Sequence, residues 1–113
     1  MTPLVMDKLL EADSTQTVRS RVLSGKPARQ LRTEWTDAWE RPDSPGTLPM
    51  PLQFMLVADV MSRVARANNR ELTGMPVGQV VGMMNEVRST RDVMQQLVEE
   101  YIEASERLQS LNT

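Results

Sequence analysis

The chain has 113 residues, of which 13 are Lys or Arg and 15 are Asp or Glu, so its formal net charge is −2. It contains no His and no Cys, which excludes imidazole bases, thiol nucleophiles, disulfides and the usual zinc ligands. The length indicates one domain, and the slight negative charge argues against bulk affinity for nucleic acid.

The apolar part of the composition is aliphatic and rich in methionine. Apolar residues make up 40% of the chain, aromatic residues only 4%, and there are nine Met. No apolar run is long enough to span a bilayer, and the N-terminus shows no signal-peptide pattern, so we expect no membrane association. The absence of Cys favours the cytoplasm. All basic residues except Lys8 and Lys26 are Arg, a bias that favours a GC-rich bacterial or phage genome.

Residues 1–41 are predicted to form an N-terminal helical region. Thr2 followed by Pro3 is a typical helix start. Asp13 is suited to cap a second helical segment that stops at Gly25, although the first two segments can also be read as one helix. A third helix is predicted from Ala28 to Glu40, because apolar residues recur there at helical spacing.

A proline-rich linker is predicted over residues 42–51, which hold four of the seven prolines. Two helices should follow, at about 52–70 and 76–111, joined by a short turn. Helices joined in this way pack antiparallel, so residues 52–113 are predicted to form a helical hairpin. No segment shows the alternation that is typical of strands. The predicted fold class is therefore all-α.

The second helix of the predicted hairpin carries an apolar seam in heptad spacing, which requires a partner helix along its whole length. The shorter first helix would cover only about half of it. We expect a second copy of the chain to complete the bundle as a homodimer, with the N-terminal helices folding back as the alternative. The seam residues proposed for this contact are Val87, Met94, Leu97, Tyr101, Leu108 and Leu111.

Three glycines four residues apart, Gly74, Gly78 and Gly82, admit two interpretations. They line one face of a helix and let another backbone approach closely, or the helix begins later, near Gln79. Because glycine weakens a helix, both interpretations make this stretch a candidate hinge.

Two tryptophans one helical turn apart, Trp35 and Trp39, are the strongest candidates for a docking surface, together with Leu31. The alternative is that they cap the core of a chain poor in aromatic residues. A run of five basic residues between 19 and 32 has three interpretations: a solvated face, a surface for an acidic protein, or a nucleic-acid contact.

No motif in the sequence points to a reaction, a metal or a cofactor. The sequence therefore predicts a non-enzymatic bacterial regulator that binds another protein, such as an antiactivator that blocks a transcription factor or signalling protein. A structural subunit of a secretion apparatus or phage particle is the first alternative. A small DNA-binding repressor is the second, although nucleic acid is an unlikely partner for an acidic chain.

Overall fold

The computed structural model describes residues 1–112, and Thr113, the end of the predicted region 52–113, lies outside the described residues. Residues 1–112 form four α-helices and two short strands. In chain order they are α1 (Pro3–Glu11), β1 (Thr17–Ser20), β2 (Ala28–Leu31), α2 (Glu34–Trp39), α3 (Leu52–Arg66) and α4 (Thr90–Leu111). Two 3₁₀ turns lie at Ser14–Gln16 and Gln79–Met83. The molecule mixes helices with a small sheet, so the all-α prediction is wrong.

The start of α1 follows from its capping residue. The Thr2 hydroxyl accepts a hydrogen bond from the Val5 backbone, and Pro3 occupies the first turn. Asp13 also acts as a cap, as predicted, but for a single 3₁₀ turn. Its carboxylate accepts from the Thr15 amide at 2.8 Å, and the Gln16 side chain accepts from the Asp13 amide at 2.9 Å.

Strands β1 and β2 form an antiparallel hairpin where helices were predicted. Gly25, with φ of +96°, and Pro27 in the connection prevent a helix from continuing through it. The other edge of β2 pairs with residues 75–77, through bonds from the Leu31 amide to the Met75 carbonyl (3.0 Å) and from the Val77 amide to the Arg29 carbonyl (3.1 Å). The backbone of β2 therefore has hydrogen-bond partners on both edges of the strand.

Two small buried centres hold the chain together. In the first, Ala12, Leu31 and Val81 pack together, with Leu9 and Val77 against them. This centre joins α1, the hairpin and the second 3₁₀ turn.

The second centre fixes the hairpin and the proline-rich segment to α3. Val22, Gln53 and Val57 are buried there. The Gln53 amide nitrogen donates to the Val22 carbonyl at 2.9 Å, and its oxygen accepts from the Leu48 amide at 3.0 Å. Residues 48–53 are therefore bonded to the folded body.

Helix α4 begins at Thr90, fourteen residues later than predicted from the heptad pattern (90 − 76 = 14). The Ser89 hydroxyl accepts from the Asp92 amide at 3.1 Å and caps the helix. Upstream, Gly82 lies within the second 3₁₀ turn, and Gly78 directly precedes that turn. No residue of α4 is buried, so α3 does not shield it, and the predicted hairpin of two packed helices is wrong. No helix within residues 1–112 is both long and apolar enough to cross a membrane.

Candidate functional site

An apolar groove of about 490 Å³ runs between α1 and residues 75–88. One wall is the face of α1 that carries Met6, Leu9 and Leu10, and the other is formed by residues 75–78 and the turn that follows. The groove is open to solvent along one side. Its size and apolar walls suit the hydrocarbon part of a small molecule.

The walls of this groove are held by specific contacts. The Lys8 ammonium donates to the carbonyls of Arg70 (2.7 Å) and Thr73, which ties α1 to the chain that leads into the second wall. Gly82 lies so close to the first 3₁₀ turn that an added Cβ would stand 2.6 Å from the Ser14 nitrogen. The groove is therefore a pre-formed feature of the fold.

Arg88 supplies the positive charge at the rim of the groove, and Glu86, which also lines the groove, supplies one negative charge. Its guanidinium donates to the Gln96 side chain and lies 3.7 Å from the Glu86 carboxylate. Its side chain is only one-third exposed, so the charge has a fixed position beside the apolar walls. This apolar trough can receive a molecule that has an alkyl part and an anionic end, provided that the anionic end takes the place of Glu86 beside Arg88.

A second, polar cavity of about 600 Å³ lies on the other side of α1. Ion pairs cross it between Arg70 and Glu11 and between Arg32 and Asp37, the latter at 2.9 Å. Burial, with the neighbouring Arg70, lowers the pKa of Lys8 below its ordinary value. Because acids and bases alternate here, the cavity shows no preference for a ligand of either sign.

Within residues 1–112 no group of three His, Cys, Asp or Glu side chains could hold a metal ion.

The predicted docking residues have different environments. Trp35 and Trp39 form an edge-to-face pair with ring centroids 5.9 Å apart, and both are half-buried. Leu31 is only 3% exposed and belongs to the core. Leu31 is thus shielded from any partner, while the tryptophans keep part of their surface accessible.

The predicted seam and hinge are also placed by the structure. Five seam residues lie exposed along α4, and Val87 precedes the helix. The three glycines do not share a helix face, because residues 74–82 form loop and 3₁₀ turn. The five exposed members of the seam are Met94, Leu97, Tyr101, Leu108 and Leu111.

Of the residues that line the groove, Gly78 and Val87 were singled out from the sequence, as a hinge residue and a seam residue, and the others were not. Residues 73–76 were predicted to be a turn and the residues after them the start of the long helix, and the first helix was given only a short apolar face. The distant pairing of β2 with residues 75–77 helps to place the second wall, and no local pattern reports that pairing. Arg88 carried no sequence signal that distinguished it from the other arginines.

Comparisons with known proteins identify the relatives of this chain. The family model described as "Nitronate monooxygenase" matches residues 1–100. The chain is 53% identical over 115 aligned positions to "Putative monooxygenase Rv1533" of Mycobacterium tuberculosis, which covers 96% of this chain and 31% of the relative. It is 29% identical over 100 positions to "Probable nitronate monooxygenase" of Bacillus subtilis, covering 88% of this chain and 28% of the relative. No solved structure matches.

The chain thus spans less than a third of the length of these relatives. The family normally folds as a TIM barrel, which needs eight parallel strands. Residues 1–112 contain only two strands, and they are antiparallel, so the described part of the chain is not itself a barrel.

These findings correct the functional predictions. The prediction of a non-enzymatic regulator is wrong, because the family model and both relatives carry the names of enzymes. The same finding overturns the assembly-subunit and repressor alternatives. With the match extending over residues 1–100, the chain belongs to the nitronate monooxygenase family.

Proposed function

We propose that this chain takes part in the oxidation of nitronates, the anions of nitroalkanes, as part of a monooxygenase. The observation that carries the proposal is the family match over residues 1–100. A monooxygenase transfers one atom of O₂ to its substrate, so nitronate-dependent oxygen consumption is the activity to expect.

The apolar groove supports a nitronate as the ligand. An alkyl nitronate combines a hydrocarbon chain with an anionic head. The groove combines the apolar side chains of Met6, Leu9 and Val77 with the guanidinium of Arg88, which has the Glu86 carboxylate beside it at 3.7 Å. We propose that the alkyl part lies along α1 while the head faces Arg88. In this arrangement the residues of the chain bind and orient the substrate.

Oxygen uptake by the protein purified from its native cells tests the proposed activity. We expect uptake to rise and saturate with an alkyl nitronate, and to be much slower with the neutral nitroalkane held at a pH where it does not ionise. If the rate with nitronate equals the rate without substrate, the proposed activity is wrong.

The role of Arg88 has a separate test with a matched control. Replacing Arg88 by Gln removes the charge at the rim, and we expect the KM for nitronate to rise about tenfold, as for a lost charged hydrogen bond. Arg63→Gln makes the same charge change on α3, where Arg63 pairs with Asp59 at 2.9 Å, and should leave the KM unchanged. Equal KM values in the two variants would show that Arg88 does not bind the substrate.

The cytoplasmic location expected from the sequence stays a prediction.

A further inference from the structure

The β-hairpin concentrates positive charge that the rest of the described chain does not neutralise. Arg19, Arg21, Lys26 and Arg29 all lie on β1, β2 or their connection. None of these four forms an ion pair with any of residues 1–112. An acidic chain thus carries a local surplus of four cations.

The register of the hairpin brings two of these cations together. Arg19 is directly opposite Arg29, so both side chains emerge on the same face of the sheet. Like charges in this position repel and weaken a sheet. Arg29 is held by a hydrogen bond to the Thr17 hydroxyl at 2.9 Å, so it does not turn away. An anion bound on this face would relieve the repulsion.

A cavity of about 410 Å³ lies beside this charge. Arg19 and Arg21 line the cavity together with Trp39, at the end of α2, and Thr47, from the proline-rich segment. Glu40 is the one acidic residue among its lining residues, so the cavity keeps a net positive charge. The ring of Trp39 is braced by its edge-to-face contact with Trp35.

We propose that this cavity binds a phosphate-bearing small molecule. A guanidinium presents paired donors that match two phosphate oxygens, and two guanidiniums suit a dianion better than a monoanion. The indole offers an aromatic surface on which a base can stack, which favours a nucleotide over a bare phosphate. The site is separate from the apolar groove, so it stands independently of nitronate oxidation.

Fluorescence of Trp39 tests the site directly. The chain has two Trp, so in a Trp35→Phe background Trp39 is the only indole and reports on its own cavity. The probes are ribose 5-phosphate and adenosine monophosphate, which carry the same phosphate monoester, each titrated at low ionic strength. We expect both to change the emission saturably, with the nucleotide binding more tightly if the base stacks and equally if only phosphate is recognised.

The matched control is a pair of arginines on α3. Arg19→Gln with Arg21→Gln should weaken binding at least about tenfold, because charged hydrogen bonds are lost. Arg63→Gln with Arg66→Gln changes the net charge equally and should leave the affinity unchanged. The wild-type affinity should also fall as salt is added. Absence of a saturable change with both probes, equal weakening in the two double variants, or an affinity insensitive to salt would overturn the proposal.

Discussion

At the scale of single residues, a few close contacts determine how the hairpin meets the proline-rich segment. Gly25 has a φ of +96°, and a Cβ placed there would lie 2.5 Å from the Leu48 carbonyl oxygen and 2.5 Å from the Met50 nitrogen. Real side chains do not approach a backbone this closely. Residues 48–50 therefore pack against the hairpin only because position 25 is glycine.

Gly25→Ala tests this contact, with Gly46→Ala as its control. Gly46 also has a positive φ (+81°), but no atom lies within 4 Å of the position that a Cβ would take there. We expect Gly46→Ala to lower the free energy of unfolding by about 1–2 kcal/mol, the usual left-handed penalty. Gly25→Ala should cost about 3 kcal/mol or more, because backbone must also move. Chemical denaturation followed by tryptophan fluorescence measures both, and equal losses would contradict the contact.

Gln53 shows how a polar side chain can serve as core. It is fully buried, and each of its polar atoms has a backbone partner. Gln53→Leu would leave the Val22 carbonyl and the Leu48 amide unpaired, at a cost of about 2–4 kcal/mol. Gln95→Leu, on the exposed surface of α4, should change the free energy of unfolding by no more than about 0.5 kcal/mol. Similar losses in the two variants would show that Gln53 is not a structural anchor.

Lys8 links α1 to the wall of the groove, and its ionisation should change the free energy of unfolding with pH. Burial and Arg70 lower its pKa below the ordinary 10.5, while Glu71 and Glu11 act in the opposite direction. The folded state therefore releases this proton before the unfolded state does. The stability of the wild type relative to Lys8→Met should increase as the pH rises from the lowered pKa to 10.5. A difference that stays constant over this range would show that the pKa is not lowered.

At the scale of elements, the sequence predicted what local capping determines and missed what distant pairing determines. The start of α1 and the existence of α3 follow from Thr2, Pro3 and the apolar spacing after Pro51. Strands β1 and β2 have only four residues each and carry arginines, so no alternation reveals them. Their pairing with each other and with residues 75–77 is tertiary information.

The start of α4 was available in the sequence but was not used. Ser89 followed three residues later by Asp92 is a capping pattern, and the structure uses Ser89 as the cap. The heptad spacing continues upstream through Val80 and Met83 although the backbone there is not α-helical. Apolar periodicity alone therefore overestimated the length of α4 by more than a dozen residues.

Because the apolar side of α4 is exposed, the homodimer remains a prediction. Leu97 and Tyr101 are more than half exposed, and water contact of such residues is costly. We expect the chain to self-associate through this face, and Leu97→Glu with Tyr101→Glu to shift it toward monomer. Glu99→Gln with Glu103→Gln, on the polar side, should leave the association unchanged. Sedimentation velocity over a range of concentrations measures it, and a monomer at all concentrations would contradict the homodimer.

At the scale of the whole molecule, the described chain is extended. Its radius of gyration is 18.4 Å and its extents are 59 × 30 × 23 Å. A compact domain of this length would have a radius of gyration of about 13 Å. The difference reflects α4, which carries no buried residue, while α1, the hairpin and the second 3₁₀ turn form a small body around the groove.

The family assignment could not be reached from composition and periodicity. Family membership is carried by similarity over residues 1–100 as a whole. The absence of His and Cys was taken to mean a protein without chemistry. That inference was wrong, because the family model and both relatives carry the names of enzymes.

The most direct test of the account is whether a nitronate binds in the apolar groove. Met6, Met75 and Met84 line it, whereas Met55 and Met94 lie on α3 and α4. In protein labelled with ¹³C at the methionine methyl groups, titration with an alkyl nitronate should shift the three groove signals and leave the signals of Met55 and Met94 in place. Groove signals that do not move, or signals that all move together, would show that the nitronate does not bind specifically in the groove.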